Sequence, residues 1–491
     1  MFFLVRTRYA PSPSGTLHVG GARTALFSYL FAKHYGGQFV LRVEDTDQTR
    51  LVSGSEEALM RSLAALGILW DEGPDVGGPF GPYRQSERLS QHQQYAAQLL
   101  EEGKAYRCYC TPDELEATRK ARKAEGLPPR YMGTCRNLSS DDPIHGSGKP
   151  YVLRLKVPLS GVTVVDDLIR GQVTFENKIL DDFVIVKTNG VPTYNFAVVI
   201  DDWAMRITHV IRAEEHLSNT PKQMLVYEAL GFSLPKFAHI PMVLAPDHTK
   251  LSKRHGATAV EEYLEQGILP QALVNYLMLL GWSAPDGREF MTVKEAEELF
   301  TLDRVQHTAA VYDQKKLEWM NAQYLKQLPL AVVTDAVKPF VEQMGVSGGQ
   351  GPSLESGVAL VRERAHTLMD LAQGMRFLWQ RPVQYDAKGV AKHFSHPEVA
   401  TRLQALATTL GGLPGDKWEH DALAATFDTL ASQLDIKRAE LIHPCRLALT
   451  GQTVGPGLFE LVAVLGQPET VTRLLNVVAM LKNEGHDIPT F

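Results

Sequence analysis

The chain has 491 residues, 44% hydrophobic and 22% charged, which at roughly 150 residues per domain suggests about three domains and excludes a disordered chain. Fifty Lys and Arg against 56 Asp and Glu leave a net charge of -6, so binding of nucleic acid by bulk positive charge is excluded while a local basic face is not. The most apolar stretch, residues 272–282, is well short of the roughly 20 residues that span a bilayer. The N-terminus meets Arg6 too early for a signal peptide, and four cysteines make no disulfide framework. The expectation is a multidomain cytoplasmic protein without a membrane partner.

Residues 2–9 are rich in β-formers and predict a strand. Pro11-Ser12-Pro13-Ser14-Gly15 ends it, because proline lacks a backbone donor and glycine permits a tight turn. From 20 to 34, apolar residues recur at Ala22, Leu26, Tyr29, Leu30 and Ala32, a helical spacing, and 39–43 predicts a second strand. This is a βαβ unit with a parallel sheet, whose ligand is expected at the C-terminal end of the first strand. Residues 108–187 change character. They hold the basic, helix-prone run Arg119-Lys120-Ala121-Arg122-Lys123, a polar loop over 136–149 and strand-like segments at 152–157 and 183–186. They read as an insertion between two halves of the sheet domain. Sheet-like signal resumes at 194–200 and 207–211. Beyond about 323 the pattern is helical. Val361, Ala365, Leu368, Ala372 and Met375 mark one apolar face, and similar spacing recurs over 423–434 and 471–481. Gly-rich breaks fall at 346–357, 411–415 and 455–457.

The first loop carries neither G-x-G-x-x-G nor G-x-x-x-x-G-K-[ST], so a dinucleotide fingerprint and a P-loop are both absent. Thr16-Leu17-His18-Val19-Gly20-Gly21 stands there instead, running into the helix. Small residues at a helix N-terminus let backbone approach a nucleotide, and the helix dipole favours its phosphates. Far downstream, Lys250-Leu251-Ser252-Lys253-Arg254-His255-Gly256 places two lysines in a loop suited to a polyphosphate. Either segment alone reads more readily as an ordinary turn.

In this order the two segments resemble the signatures of class I aminoacyl-tRNA synthetases: His18-Val19-Gly20-Gly21 is similar to the HIGH element, and Lys250-Leu251-Ser252-Lys253-Arg254 to KMSKS. Arg8-Tyr9-Ala10-Pro11-Ser12-Pro13-Ser14-Gly15, Leu41-Arg42-Val43-Glu44-Asp45-Thr46-Asp47, Gly81-Pro82-Tyr83-Arg84-Gln85-Ser86-Glu87-Arg88 and Ile211-Arg212-Ala213-Glu214-Glu215-His216-Leu217 resemble the glutamyl-tRNA synthetase family. Arg446-Leu447-Ala448-Leu449-Thr450-Gly451 is similar to its bacterial C-terminal domain. The resemblance covers essentially the whole chain. It implies a fold: an α/β Rossmann-like catalytic domain (1–107 and 188–240) with an inserted α+β acceptor-end-binding domain (108–187). A connecting region with the lysine loop (241–322) and an all-α anticodon-binding region (323–491) would follow. It also implies an activity: L-glutamate and ATP, with Mg²⁺, give glutamyl-adenylate, and glutamate passes to tRNA(Glu). A monomer is implied too.

The resemblance further implies roles for single residues. Arg8, Ala10, Ser12, Glu44, Tyr194 and Arg212 would bind glutamate. Pro11, Ser12, His18, Gly20, Gly21, Glu215 and Lys253 would bind ATP, and His18, Gly20, Lys250 and Lys253 would serve the chemistry. Arg362 and Arg364 would contact tRNA. The charges suit a dicarboxylate carrying an ammonium group, since arginine binds carboxylate bidentately. Cys108, Cys110 and Cys135 have two readings: zinc ligands, as in some family members, or reduced buried thiols. The histidine that completes the zinc site in some relatives is replaced by Asn137, leaving Tyr131 or His145 as the fourth ligand. Among rival readings, glutaminyl-tRNA synthetases have a β-barrel anticodon region, glutamyl-Q synthetases lack a C-terminal domain, and nucleotidylyltransferases need no helical back half. An inactive synthetase-like RNA binder is opposed by the presence of Arg8, His18, Glu44 and Lys253.

Overall fold

The computed structural model describes residues 4–47, 49, 51–139, 141–345, 351–483 and 488–491, with Lys253 described in its backbone alone. Parts of the predicted first strand and of the 346–357 break lie outside these residues. The chain forms two compact units: residues 1–263 with 273–313, and residues 264–272 with 314–491.

In the first unit, β1 (Arg6–Tyr9) leads through the proline loop into α1 (Val19–His34) and then β2 (Gln38–Leu41). β1 and β2 pair in parallel, Arg6 opposite Gln38 and Tyr9 opposite Leu41. This is the expected βαβ unit. α1 is buried from Ala22 to Ala32, and Gly21 is required there because a Cβ would lie 2.6 Å from Tyr9 Oη. α2 (Ser55–Ala65) and α3 (Leu89–Glu101) follow. Next come β3 (Ala105–Cys108), α4 (Pro112–Ala124), β4 (Val152–Leu155), β5 (Val162–Asp167), β6 (Gly171–Glu176) and β7 (Val184–Val186). β3, β4 and β7 make one antiparallel sheet.

The unit continues through α5 (Tyr194–Ala204), β8 (His209–Ala213), α6 (Thr220–Leu230) and β9 (Lys236–Ile240). A four-stranded sheet has the order β6-β5-β9-β8, with β8 and β9 parallel and the β5–β6 hairpin on its flank. Thr208 N donates to Arg6 O at 2.9 Å, which sets β1 beside the start of β8. The sheet-like reading of 194–200 is corrected: the segment is helical. Phe196, Ala197, Val198, Val199 and Ile200 are all buried, and a short uninterrupted apolar run has no period to separate a core helix from a core strand. Residues 272–282 overlap α8, described below.

β10 (Val243–Leu244) leads to the lysine loop and α7 (Val260–Glu265), then α8 (Pro270–Leu279), α9 (Val293–Leu299) and β11 (Ala310–Val311), which pairs with β10. The helices of the second unit are α10 (Gln314–Gln327), α11 (Leu330–Gln343), α12 (Leu354–Val361), α13 (Leu368–Met375), α14 (Ala387–His393), α15 (Val399–Gly411), α16 (His420–Gln433), α17 (Ala439–Thr450), α18 (Leu458–Leu465) and α19 (Gln467–Lys482). One core gathers Val333, Val337, Val358 and Leu371; the other gathers Leu403, Phe427, Leu447 and Leu474. The apolar face read over 361–375 is buried, but a 3₁₀ turn at Arg362–Arg364 divides it between α12 and α13. Among the described residues no helix is long and apolar enough to cross a membrane.

Candidate active site

The loop after β1, the start of α1 and the C-terminal ends of β2 and β8 surround a cavity of about 820 Å³ in the first unit. Arg8, Ala10, Pro11, Ser12, His18, Gly20, Gly21, Glu44, Tyr194, Arg212, Glu215 and Lys250 all line it.

One wall is a chain of buried charges. Arg8 Nε donates to Asp202 Oδ1 at 3.2 Å. Arg42 Nη1 donates to the same oxygen at 2.7 Å, and Arg42 Nη2 to Glu44 Oε1 at 3.1 Å. Arg42 is fully buried, and Arg8, Glu44 and Asp202 are each under 9% exposed. An unpaired charge at such depth would be costly, so the alternation of Arg and carboxylate is what makes the cluster tenable. Burial pushes the Glu44 carboxyl above its usual range, with Arg42 opposing the shift. Among the described residues Arg8 engages protein only through Nε, which leaves its terminal nitrogens for a ligand. Ser12 Oγ donates to Glu44 O at 2.9 Å and joins the two loops.

Arg212, on β8, is held differently. Nε donates to His239 Nε2 at 3.1 Å, and Nη2 to Thr220 Oγ1 and Gln223 Oε1, both at 2.8 Å. Nη1 is buried without a partner among the described residues. A buried guanidinium donor left open beside a cavity is suited to an anionic ligand oxygen, because leaving it unsatisfied carries a desolvation penalty. Tyr194 Oη lies 3.2 Å from His216 Nδ1. Burial, with Arg212 adding to it, pushes the His216 pKa down to about 4, so this imidazole is neutral at physiological pH.

The other end of the cavity is more open. His18 caps α1: its Nδ1 accepts from Gly20 N at 3.1 Å. Nδ1 is therefore the unprotonated nitrogen, and the ring proton sits on Nε2. Burial, followed by the charge of Lys250, lowers the His18 pKa and keeps the ring neutral. Val19 N donates to Thr258 O, and Val260 N to Leu17 O, each at 2.9 Å, tying this corner to the segment after the lysine loop. Lys250 Nζ lies 2.8 Å from Glu215 Oε2 with both side chains at least half exposed, and the lysine holds the Glu215 carboxyl below its usual range. The Lys253 backbone sits in a 3₁₀ turn, Lys253–His255, and its side chain lies outside the described residues.

The cysteines stand apart from this cavity. Ligand atoms of Cys108, Cys110 and Cys135 lie within 4.8 Å of one another, and Cys108 Sγ is 3.4 Å from Tyr131 Oη. His145 is occupied elsewhere: Nδ1 meets Tyr109 Oη at 2.9 Å and Nε2 meets Ser139 O at 3.0 Å. Three sulfurs and a phenol oxygen form a donor set that fits a tetrahedral zinc ion. The basic run 119–123 lies on α4, which buries none of its residues. In the second unit Arg364 lines a cavity of about 940 Å³, while Arg362 Nη1 reaches Leu328 O at 3.5 Å.

Sequence reading did not single out Asp202, His239, Thr220 or Gln223. Asp202 follows an equally buried Asp201, which takes Arg88 Nε at 2.6 Å and His92 Nε2 at 2.8 Å. Two acids inside an apolar helix are the available signal, because a buried carboxylate needs a cation.

Comparison with known proteins places the chain in a known family. Residues 4–319 match the family described as tRNA synthetases class I (E and Q), catalytic domain, and residues 314–478 match an anticodon binding domain. The chain belongs to this family of class I tRNA synthetases. It is 50% identical over 484 residues to a glutamate–tRNA ligase of Desulforudis audaxviator, covering 97% of each chain. It is 49% identical over 477 residues to that of Moorella thermoacetica, covering 96% of this chain and 97% of the relative. A crystal structure of a glutamate tRNA ligase from Elizabethkingia meningosepticum, in complex with its amino acid, superposes with a TM-score of 0.90 at 35% identity, covering 98% of this chain and 100% of the other.

Proposed function

We propose that the chain is a glutamate–tRNA ligase, which activates L-glutamate with ATP and transfers it to the 3′-terminal ribose of tRNA(Glu). The observation that carries this is one cavity holding two buried arginines with open donors, a buried glutamate, and a helix N-terminus capped by histidine. Arg8 and Arg212 oppose the carboxylates of the substrate, Glu44 opposes its ammonium group, and Tyr194, Ala10 and Ser12 shape the pocket between them. Pro11, Ser12, Gly20 and Gly21 let the nucleotide approach backbone, and His18 Nε2–H is placed to donate to a phosphate oxygen. Glu215 lies beside the nucleotide, paired with Lys250.

The α-carboxylate of glutamate attacks the α-phosphorus of ATP; the new bond forms the mixed anhydride as pyrophosphate leaves. A carboxylate is already ionised near neutral pH, so the step needs no general base. Positioning and charge stabilisation do the work. Lys250 would exchange Glu215 for the departing pyrophosphate, with Lys253 beside it, and Mg²⁺ enters with ATP as part of the substrate. Cys108, Cys110, Cys135 and Tyr131 would hold a structural zinc that cross-links the β3 end to the loop at 131–135; metal analysis should then find close to one zinc per chain. Arg364, Arg362 and the exposed basic residues of α4 would meet tRNA phosphates or bases. A monomer and a cytoplasmic location follow from the family resemblance alone.

The test is charging of purified tRNA(Glu) and tRNA(Gln) transcripts, with ATP–pyrophosphate exchange run with and without tRNA. Glutamate-dependent exchange that needs tRNA is expected, with no exchange on glutamine. Exchange on another amino acid, or none at all, would remove the assignment.

A further inference from the structure

The two arginines of the cavity are neutralised unequally, and the groups behind Arg212 explain how. Arg8 already shares the carboxylate of Asp202. Arg212 forms no ion pair among the described residues, and its three protein acceptors are an imidazole, a hydroxyl and an amide. The imidazole is not left to choose its own tautomer. His239 Nδ1 lies 2.5 Å from Asp167 Oδ2, both residues being almost wholly buried. Asp167 ends β5, and His239 is on the neighbouring strand β9. Burial, with Arg212 adding to it, keeps His239 below the usual imidazole value although Asp167 pulls the other way. A neutral ring whose Nδ1–H donates to Asp167 must present a bare Nε2 lone pair, which is what Arg212 Nε–H requires.

We propose that Asp167 and His239 are positioning residues for substrate binding: they hold Arg212 by a neutral acceptor, so its Nη1 and its full charge stay available to a substrate carboxylate. The inference rests on the ligase reading above, and neither residue touches the cavity. A carboxylate in place of His239 would fix the guanidinium equally well but would cancel the charge the substrate needs.

The geometry of Asp167 supplies a sharp test. Its Oδ1 accepts from three backbone N–H groups: Ile169 at 3.0 Å, Arg170 at 2.9 Å and His239 at 3.2 Å. In Asp167→Asn that position must remain oxygen, so the amide NH₂ is forced toward His239 Nδ1. The ring must then accept at Nδ1 and carry its proton on Nε2, where Thr220 Oγ1 at 3.1 Å can take it but Arg212 Nε–H loses its acceptor. His239→Gln beside Asp167 turns its NH₂ to that carboxylate and its amide oxygen to Arg212, whereas His239→Leu offers Arg212 no acceptor whatever stands at position 167.

Steady-state charging with saturating tRNA reads the result. Asp167→Asn should raise KM for glutamate about tenfold to a hundredfold, the weight of a hydrogen bond to a charged group, with KM for ATP within about twofold of the parent. His239→Gln should stay within about threefold of the parent, and the double variant Asp167→Asn, His239→Leu should match His239→Leu alone, a coupling that separates positioning from general damage. A glutamate KM for Asp167→Asn equal to the parent's, or a double variant clearly worse than His239→Leu alone, would overturn the proposal. Should Asp167→Asn fail to fold, His239→Leu against His239→Gln decides: a raised glutamate KM only in the leucine variant supports it, and equal values overturn it. A parent chain that charges no glutamate would instead bring down the ligase reading beneath it.

Discussion

The two units of the chain spend their interiors differently. The first buries charge on purpose: Arg6, Arg8, Arg42, Arg88, Arg212, Glu44, Glu72, Asp167, Asp201 and Asp202 all lie inside it. In the second, the described buried polar side chains are Asn321, Thr470 and Arg473, and the rest of the core is apolar. A unit that must grip a small charged substrate needs donors fixed before the substrate arrives, and only burial with partners fixes them. A unit that reads a large polyanion can do so from its surface, and its core is left to hold helices together.

That contrast can be broken by removing one acid from each unit. Asp202→Ala strands Arg8 and leaves Arg42 with Glu44 alone, and should lower the unfolding free energy by about 3–5 kcal/mol; urea denaturation reads it. A loss below about 1 kcal/mol would mean that the buried network is not what stabilises the first unit. Next in size, Arg8→Ala should cut glutamate-dependent pyrophosphate exchange by at least about 10²-fold, while near-normal exchange would sink the role given to Arg8. Gly21→Ala drives a methyl against Tyr9 Oη and should cost about 1–3 kcal/mol. Adding Tyr9→Phe should recover part of this, and thermal melts of the three variants test it.

A gentler effect concerns pH. Burial, with Lys236 adding to it, pushes the His209 pKa down from 6.5 to about 4. Between those values the unfolded chain binds the proton that the folded chain refuses, so stability falls as pH drops through this window. His209→Gln should make the decline shallower; an unchanged slope of melting temperature against pH would contradict this. Smallest of all, Glu440→Ala in the helical unit removes only a partly exposed partner of Arg402 and should change stability by about 0–1 kcal/mol.

How much of this could be read in the sequence depended on how local the cause is. The βαβ start was legible because strand, proline loop and helix each declare themselves within a few residues. The helical back half was legible from its period. α5 was not, since Phe196 to Ile200 is apolar throughout and carries no period. The β5–β6 hairpin escaped notice although β5 alternates exposed and buried positions along its length, because Val-Thr-Val-Val-Asp-Asp puts an acid, Asp167, at a buried place. The residues proposed to bind glutamate came only from the family resemblance. Their supports were not: Arg8 and Asp202 stand 194 positions apart, and nothing in either neighbourhood names the other. The lysine loop was legible as a motif, and the structure adds Glu215 as the partner of Lys250.

The pair of backbone bonds joining Leu17 and Val19 to Val260 and Thr258 has a consequence for how the protein is made. The histidine corner is completed by chain that leaves the ribosome more than two hundred residues later, on the order of tens of seconds at ordinary elongation rates. During that interval the nascent N-terminal sheet can fold but cannot yet present a finished nucleotide site. Prematurely terminated chains ending before residue 258 should therefore lack the corner altogether, so incomplete products would be poor competitors for ATP.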